Sequence, residues 1–302
     1  MFGFFKKKRG EAPEEQEQLR KTADQETAKQ GAQSLPEEAR TLGQQFQPQE
    51  LSILAVTGPV GFSGKKMEDS DLWLATIGLT AWMEEDSPEI HQEEVQLVTL
   101  ADEKLLGFLR QRTYPDFLIK CHVRPSLDGQ QLLLLDLPQP GFDPDLKAIL
   151  EQQKKPDSTY VEGLGTFVLN RQVKWYETEV DWLEGKVRLN FDQGPEEEMK
   201  AAQETAKALL SNPADWDARV RACAADQLLE LANQWATEGE NEDEPEEIDR
   251  DQFMARMELD TIQVSPDQSF LFWFNDGEMF WGHSIQVSGT LSDGPTEAQM
   301  EG

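Results

Sequence analysis

Large apolar residues are scarce through the first fifty positions and begin abruptly at Leu51. From there LSILAVTG (51–58), DLWLATIGLTAWM (71–83) and EEVQLVTL (93–100) form strand-like runs, and ADEKLLGFLRQ (101–111) changes to helical spacing. DFLIKCHV (116–123) and QQLLLLDL (130–137) return to strand patterning, with Asp128-Gly129 as the hairpin turn between them. Three strands, one helix and two strands is the element order of an OB-type barrel. FDPDLKAILEQQ (142–153) reads as a closing helix and KKPDS (154–158) as a linker.

A second block of patterning follows. GTFVLNRQVKWYETEVDWLEGKVRLNF (165–191) reads as three strands turning at Asn170-Arg171 and Glu184-Gly185. Gly194-Pro195 opens a helix, with proline near its first position and Glu196, Glu197 and Glu198 placed against the positive end of the helix dipole. Asn212-Pro213 starts another, whose Trp216, Val220, Cys223, Leu228, Ala232 and Trp235 approximate one buried stripe. An acidic loop (236–249), a short helix in DQFMARME (251–258) and three strands near 260–265, 269–274 and 279–290 complete the pattern. The expected fold class is therefore α+β in two small domains. Residues 51–153 form a five-stranded barrel-like domain of OB-like order, and residues 158–302 an antiparallel sheet with packed helices. Residues 1–50, rich in Glu, Gln, Ala and Lys, cannot bury enough surface to offset their ordering entropy and read as a disordered tether.

Charge changes the picture most. The 302 residues hold 58 acidic and 28 basic side chains, a net charge of −30. That sign repels phosphate, so nucleic acid is not an expected partner, and a basic protein is the natural counterpart. The excess rises along the chain, from 16 acidic against 8 basic residues in 51–150 to 33 against 12 in 151–302. The two cysteines, Cys121 and Cys223, are isolated, which fits a reducing cytoplasm and gives no zinc spacing. With no apolar run of membrane-spanning length, the expected location is cytoplasmic.

Candidate chemistry is thin. GPVGFSGKK (58–66) resembles a phosphate loop, but Pro59 stands where its first glycine must be and Lys66 where its hydroxyl must be. A glycine-rich hairpin loop is the better expectation. The acidic run lacks the alternating ligands and central glycine of a calcium loop. Cys121 and His122 are neighbours on a strand and point to opposite faces, so they form no nucleophile–base pair. No metal and no cofactor is expected.

FLFWFNDGEMFWGHSIQVSG (270–289) concentrates aromatic residues around one of three histidines. It reads as a hairpin turning near Asp276-Gly277. In a regular strand Met279, Trp281, His283, Ile285 and Val287 share the apolar face, while Ser284 lies opposite with Gln286 and Ser288. His283 is then a buried hydrogen-bonder, separated from Ser284. The alternative is a polar ligand site or an unrecognised active site built from His283, Asp276 and Glu278, with Trp281 on its rim. At the other end, Phe2, Phe4 and Phe5 precede Lys6, Lys7, Lys8 and Arg9, a pattern suited to weak contact with an anionic membrane surface. That contact would make the protein peripheral to the inner face of the membrane.

The run from TYVEGLGTFVLNRQVKWYE, through the Trp216 helix, to FLFWFNDGEMFWGHSIQVSG resembles a bacterial family termed domain of unknown function 2262. The resemblance covers about residues 158–302 and is most specific in DGEMFWGHSI (276–285). The first domain resembles an uncharacterised module that accompanies it. The resemblance implies a bacterial α+β domain without an established activity and supplies no catalytic residues. Some acidic cytoplasmic domains of this general kind serve as immunity proteins or adaptors; by that analogy, and from the charge and the lack of a complete catalytic set, the expected function is a non-enzymatic, acidic protein-binding module. An enzyme centred on the 276–283 hairpin and a membrane-tethered scaffold are the alternatives.

Overall fold

The structure is a computed structural model that describes residues 37–68, 70–238 and 247–302. Two compact units meet at Lys154 and Lys155. Most of the expected tether (1–36) and most of the expected acidic loop (239–246) lie outside the described residues.

In the first unit a short helix, α1 (Glu37–Gly43), leads into β1 (Leu51–Lys66), β2 (Trp73–Glu84) and β3 (Val95–Ala101). A helix, α2 (Glu103–Arg112), then β4 (Leu118–Pro125), β5 (Gln131–Leu134), a two-residue β6 (Gln139–Pro140) and α3 (Pro144–Gln153) complete it. The strand order β1-β2-β3-β5-β4, with β4 returning to β1, closes a five-stranded barrel. The parallel β3–β5 pair, the β1–β4 closure and the helix between β3 and β4 give the barrel the OB strand order that the element order foreshadowed.

Closure depends on β1. Its first half pairs with β4 through Val56, and it pairs with β2 from Ile53 to Lys66. Register shifts at Val56/Thr57 and Thr57/Phe62 bend it between these partners. GPVGFSGKK is therefore not a hairpin loop, as its glycines suggested, but the second half of a bulged strand. Gly61, at φ +69°, adopts a left-handed conformation where an added Cβ would press on Pro115.

Alternation along β1 sends Ile53 and Ala55 inward and Val56 outward against α3. The barrel interior is aliphatic apart from Cys121, and α2 inserts Leu106 and Leu109 into it. Asp102 caps α2 by accepting from the Leu105 amide, and Asp143 caps α3. The unit begins ahead of Leu51. Phe46 is only 4% exposed and bridges Ser126, while Arg124 Nε donates to the Gln47 carbonyl at 2.6 Å.

The second unit contains β7 (Ser158–Val161), β8 (Gly165–Asn170), β9 (Trp175–Trp182) and β10 (Gly185–Asp192). Helices α4 (Glu196–Leu210), α5 (Pro213–Glu238) and α6 (Arg250–Arg256) follow, then β11 (Glu258–Val264), β12 (Ser269–Asn275), β13 (Ser284–Thr290) and β14 (Gly294–Glu301). The eight strands lie in the order β14-β13-β12-β11-β10-β9-β8-β7. Two antiparallel four-stranded meanders are thus joined by one parallel pair, β10–β11. A parallel pair needs a crossover. Here the crossover carries the described helices and lays them on one face of the sheet.

That face is strongly aromatic. Phe167, Phe191, Phe253, Phe270, Phe272, Phe274 and Phe280 are all fully buried in one core, and α5 contributes Trp216, Val220, Leu228 and Ala232. Trp182 and Phe272 meet edge to face at 5.5 Å between centroids, as do Trp216 and Phe270 at 5.3 Å. Polar groups fasten the helices to the sheet. Buried Asp217 on α5 accepts from Trp182 Nε1 at 3.1 Å and from Arg221 Nε at 2.7 Å. Arg221 also donates to the carbonyls of Met254 and Met257 at the end of α6.

Candidate functional site

The 276–283 segment differs from the hairpin expected of it. Strand β13 starts only at Ser284, so strand parity does not govern Met279 to His283. Met279 and Phe280 are adjacent and both buried, whereas Trp281 is 61% exposed. The cause is a compact loop with left-handed conformations at Gly277, Glu278, Trp281 and Gly282. Asp276 organises it. Its carboxylate accepts from the backbone amides of Glu278 at 3.2 Å, Phe280 at 2.6 Å and Gly282 at 3.1 Å. A carboxylate so engaged and only 5% exposed is an anchor for the loop, with its lone pairs already directed at the backbone.

His283 is half-buried, and its Nδ1 donates to the Phe280 carbonyl at 2.7 Å. Its partner is thus a carbonyl of the same loop. Trp235 on α5 packs edge-on against His283 and Phe280 and obliquely against Trp281, the last at 4.7 Å between centroids. Glu278 is exposed. The four residues singled out here, Asp276, Glu278, Trp281 and His283, share one loop but have different surroundings. The basic-aromatic residues Phe2, Phe4, Phe5, Lys6, Lys7, Lys8 and Arg9 lie outside the described residues.

In the first unit Cys121, His122 and His91 have separate surroundings. Cys121 lies inside the barrel, where burial pushes its thiol up to about 12. His122 lies outside, its ring nitrogen 2.7 Å from Asp136, so the two do point apart. His91 stacks on Trp82 at 4.2 Å. Among the described residues no cluster of His, Cys, Asp or Glu is arranged to hold a metal ion. No helix among them is long and apolar enough to cross a membrane.

A groove of about 300 Å³ lies on the helix-free face of the second unit's sheet. Five adjacent strands build it, mostly by the same two-residue alternation that buries the opposite face, with Ser284 contributed by β13. Trp175 and Glu177 come from β9, Arg188 and Asn190 from β10, Thr261 and Gln263 from β11, and Trp273 from β12. Register places Asn190 opposite both Glu177 and Gln263, and Thr261 opposite both Arg188 and Trp273.

The polar groups of the groove are mostly engaged with one another. Glu177 accepts from Trp175 Nε1 at 2.8 Å and from Asn170 Nδ2 at 3.3 Å, both neutral donors. Arg188 pairs with Asp260, which also accepts from the Thr261 hydroxyl at 2.7 Å. Partial desolvation pushes the Asp260 carboxyl up, but the hydrogen bonds from Thr261 and Arg188 outweigh it and hold the carboxyl below its ordinary value. Asn190 is different. It is 2% exposed, yet its Oδ1 has no hydrogen-bond partner, one of three such buried atoms among the described residues. Leaving such an acceptor unmet costs about 1–3 kcal/mol. The groove was not anticipated, although the parity of FLFWFN holds a signal for it. Phe270, Phe272 and Phe274 face the core, which places Trp273 on the polar side.

Fold and groove together define a two-domain α+β protein, with an OB-ordered barrel followed by an open sheet layered with helices on one side. Residues 161–300 match the family model described as "Uncharacterized protein conserved in bacteria (DUF2262)", and residues 38–153 match "Domain of unknown function (DUF7021)". The two matches fall one on each of the two units, and neither covers half of the chain. Neither a curated protein nor a solved structure matches it significantly.

Proposed function

We propose that this chain is a non-enzymatic binding protein of the bacterial cytoplasm, and that its acidic C-terminal domain engages a basic protein partner in an immunity-like or adaptor role. The observation that carries the reading is the charge of residues 151–302, where 33 acidic side chains face only 12 basic ones. At least six of those 12, Arg188, Lys200, Lys207, Arg219, Arg221 and Arg250, are already held by carboxylates of the same domain. The remaining negative surface attracts a cationic partner, speeds the encounter and repels acidic competitors. The engagement of Asp276 by three backbone amides also favours binding over acid–base chemistry at the 276–283 loop.

The test is a crosslinking pulldown from the native host at low and high salt, with the full chain and a chain lacking residues 1–36. A basic protein retained by both chains and released by salt supports the reading. Retention of no specific protein, or of proteins without a basic bias, removes it.

A further inference from the structure

We propose that the groove on the open sheet face is a recognition pocket for a guanidinium group, the side chain of an arginine projecting from the basic partner. The inference rests on the reading that the acidic domain binds a basic protein, and it assigns that contact to particular residues.

Three observations converge. The first is Asn190, which lines the groove at 2% exposure and whose buried, unpaired Oδ1 can be satisfied only by a donor. The second is charge. Glu177 and Asp260 bring two carboxylates against the single cation of Arg188, and Arg188 is bound to Asp260. The carboxylate of Glu177 is therefore the one whose partners inside the groove are neutral. Glu177 and Asn190 face each other across β9 and β10, which sets two acceptors side by side. A planar fork of N–H donors fits two adjacent acceptors better than a point-like ammonium does.

The third observation is aromatic. Trp175 and Trp273, both half-buried, line the groove from β9 and β12, on either side of the Asn190 strand. Indole faces attract cations and accept a stacked guanidinium more readily than an ammonium. An anionic ligand would meet two carboxylates and an arginine already paired. A neutral ligand would leave the charge of Glu177 unused. A volume of about 300 Å³ suits one side chain and not a folded element.

The experiment uses the full chain and two synthetic peptides, one of alternating Gly and Arg and the other of alternating Gly and Lys with the same charge. Binding is followed by calorimetry and tryptophan fluorescence at low and moderate salt. The arginine peptide is expected to bind on the order of tenfold more tightly and to quench tryptophan emission. Glu177→Gln and Trp273→Leu should each bring the two peptides to similar affinity, and Trp273→Phe should retain part of the difference. Thermal unfolding of each variant reports whether it is folded. Equal binding of both peptides, unchanged by these variants, overturns the pocket while leaving a basic partner on the acidic surface. Binding of neither peptide overturns the pocket, and the host pulldown then decides the broader reading separately. Quenching by a neutral sugar or an inorganic anion, but not by the arginine peptide, also overturns it.

Discussion

The two units dispose of their sheets in opposite ways. The barrel closes β1 onto β4 and so has one inner surface, while the second unit leaves an eight-stranded sheet open, with two edges and two faces. Core composition follows from this. A five-stranded barrel encloses a narrow interior, and its buried residues are Ile, Leu, Val, Ala and one Cys. The open sheet packs against helices across a wider gap and fills it with seven fully buried phenylalanines. Its second face needs no core and is free to carry a polar groove. Closure favours self-sufficiency, whereas an open sheet layered on one side retains a surface on which binding groups can be assembled.

Truncating an aromatic core residue should break the second unit more severely than a conservative trim breaks the barrel. Phe272→Ala is expected to cost about 3–5 kcal/mol, against about 0.5–1.5 kcal/mol for Ile77→Val. Urea denaturation followed by tryptophan fluorescence and far-UV circular dichroism measures both, and equal losses would contradict the contrast in core packing.

The Asp276 loop offers the next test. Gly277 adopts φ +55°, and an added Cβ would collide with the Arg256 carbonyl oxygen. Gly277→Ala should therefore destabilise the second unit by about 1–3 kcal/mol. Gly129, also left-handed but with open space at its Cβ position, should tolerate alanine better. A smaller loss at 277 than at 129 would mean that the loop is not held as described.

The groove's ion pair predicts a modest pH effect. Asp260 is held below its ordinary value, so its contribution is present above the unfolded value of about 3.9 and is lost as pH falls through the folded value. Asp260→Asn should lower stability at pH 7 by no more than about 1 kcal/mol, because the pair is partly exposed. The difference from the unmutated protein should hold down to about pH 5 and shrink below about pH 4. A difference that grows on acidification would have the wrong sign.

The smallest effect concerns the thiols. Burial raises Cys121 to about 12 and also raises Cys223, which is only half-buried on α5. At pH 8 a thiol with that value is ionised in roughly one molecule in ten thousand, so iodoacetamide should label Cys223 first and Cys121 only on unfolding. Mass spectrometry of the native protein checks the order, and prompt labelling of Cys121 would mean that the barrel opens.

What could be read in advance depended on how much of an element is buried. The strands around the barrel and at the centre of the open sheet have strong apolar alternation and were anticipated. Three escaped: the two-residue β6, which pairs only with β4, and β7 and β14, the edges of the open sheet. STYV and GPTEAQME pair on one side only and bury little, so their alternation is faint. Parity succeeded for Cys121 and His122 because β4 is a regular strand there. It failed for Trp281 and His283 because four left-handed residues and the Asp276 carboxylate turn that chain segment into a loop. The aromatic content of the segment indicated burial but not the backbone path that achieves it.

By itself the amino-acid sequence determined the α+β class, the buried stripe of α5, the barrel's element order and the concentration of acid in the second half. These follow from composition and from periodicities that span a few residues. Only the tertiary structure decided that β1 bends to close a barrel, that β10 and β11 pair in parallel at the centre of the second sheet, and that Asn190 lines a groove with Glu177 and Trp273, its oxygen unpaired. Those outcomes depend on register between strands tens of residues apart, and local patterning carries no information about which distant strand becomes the neighbour.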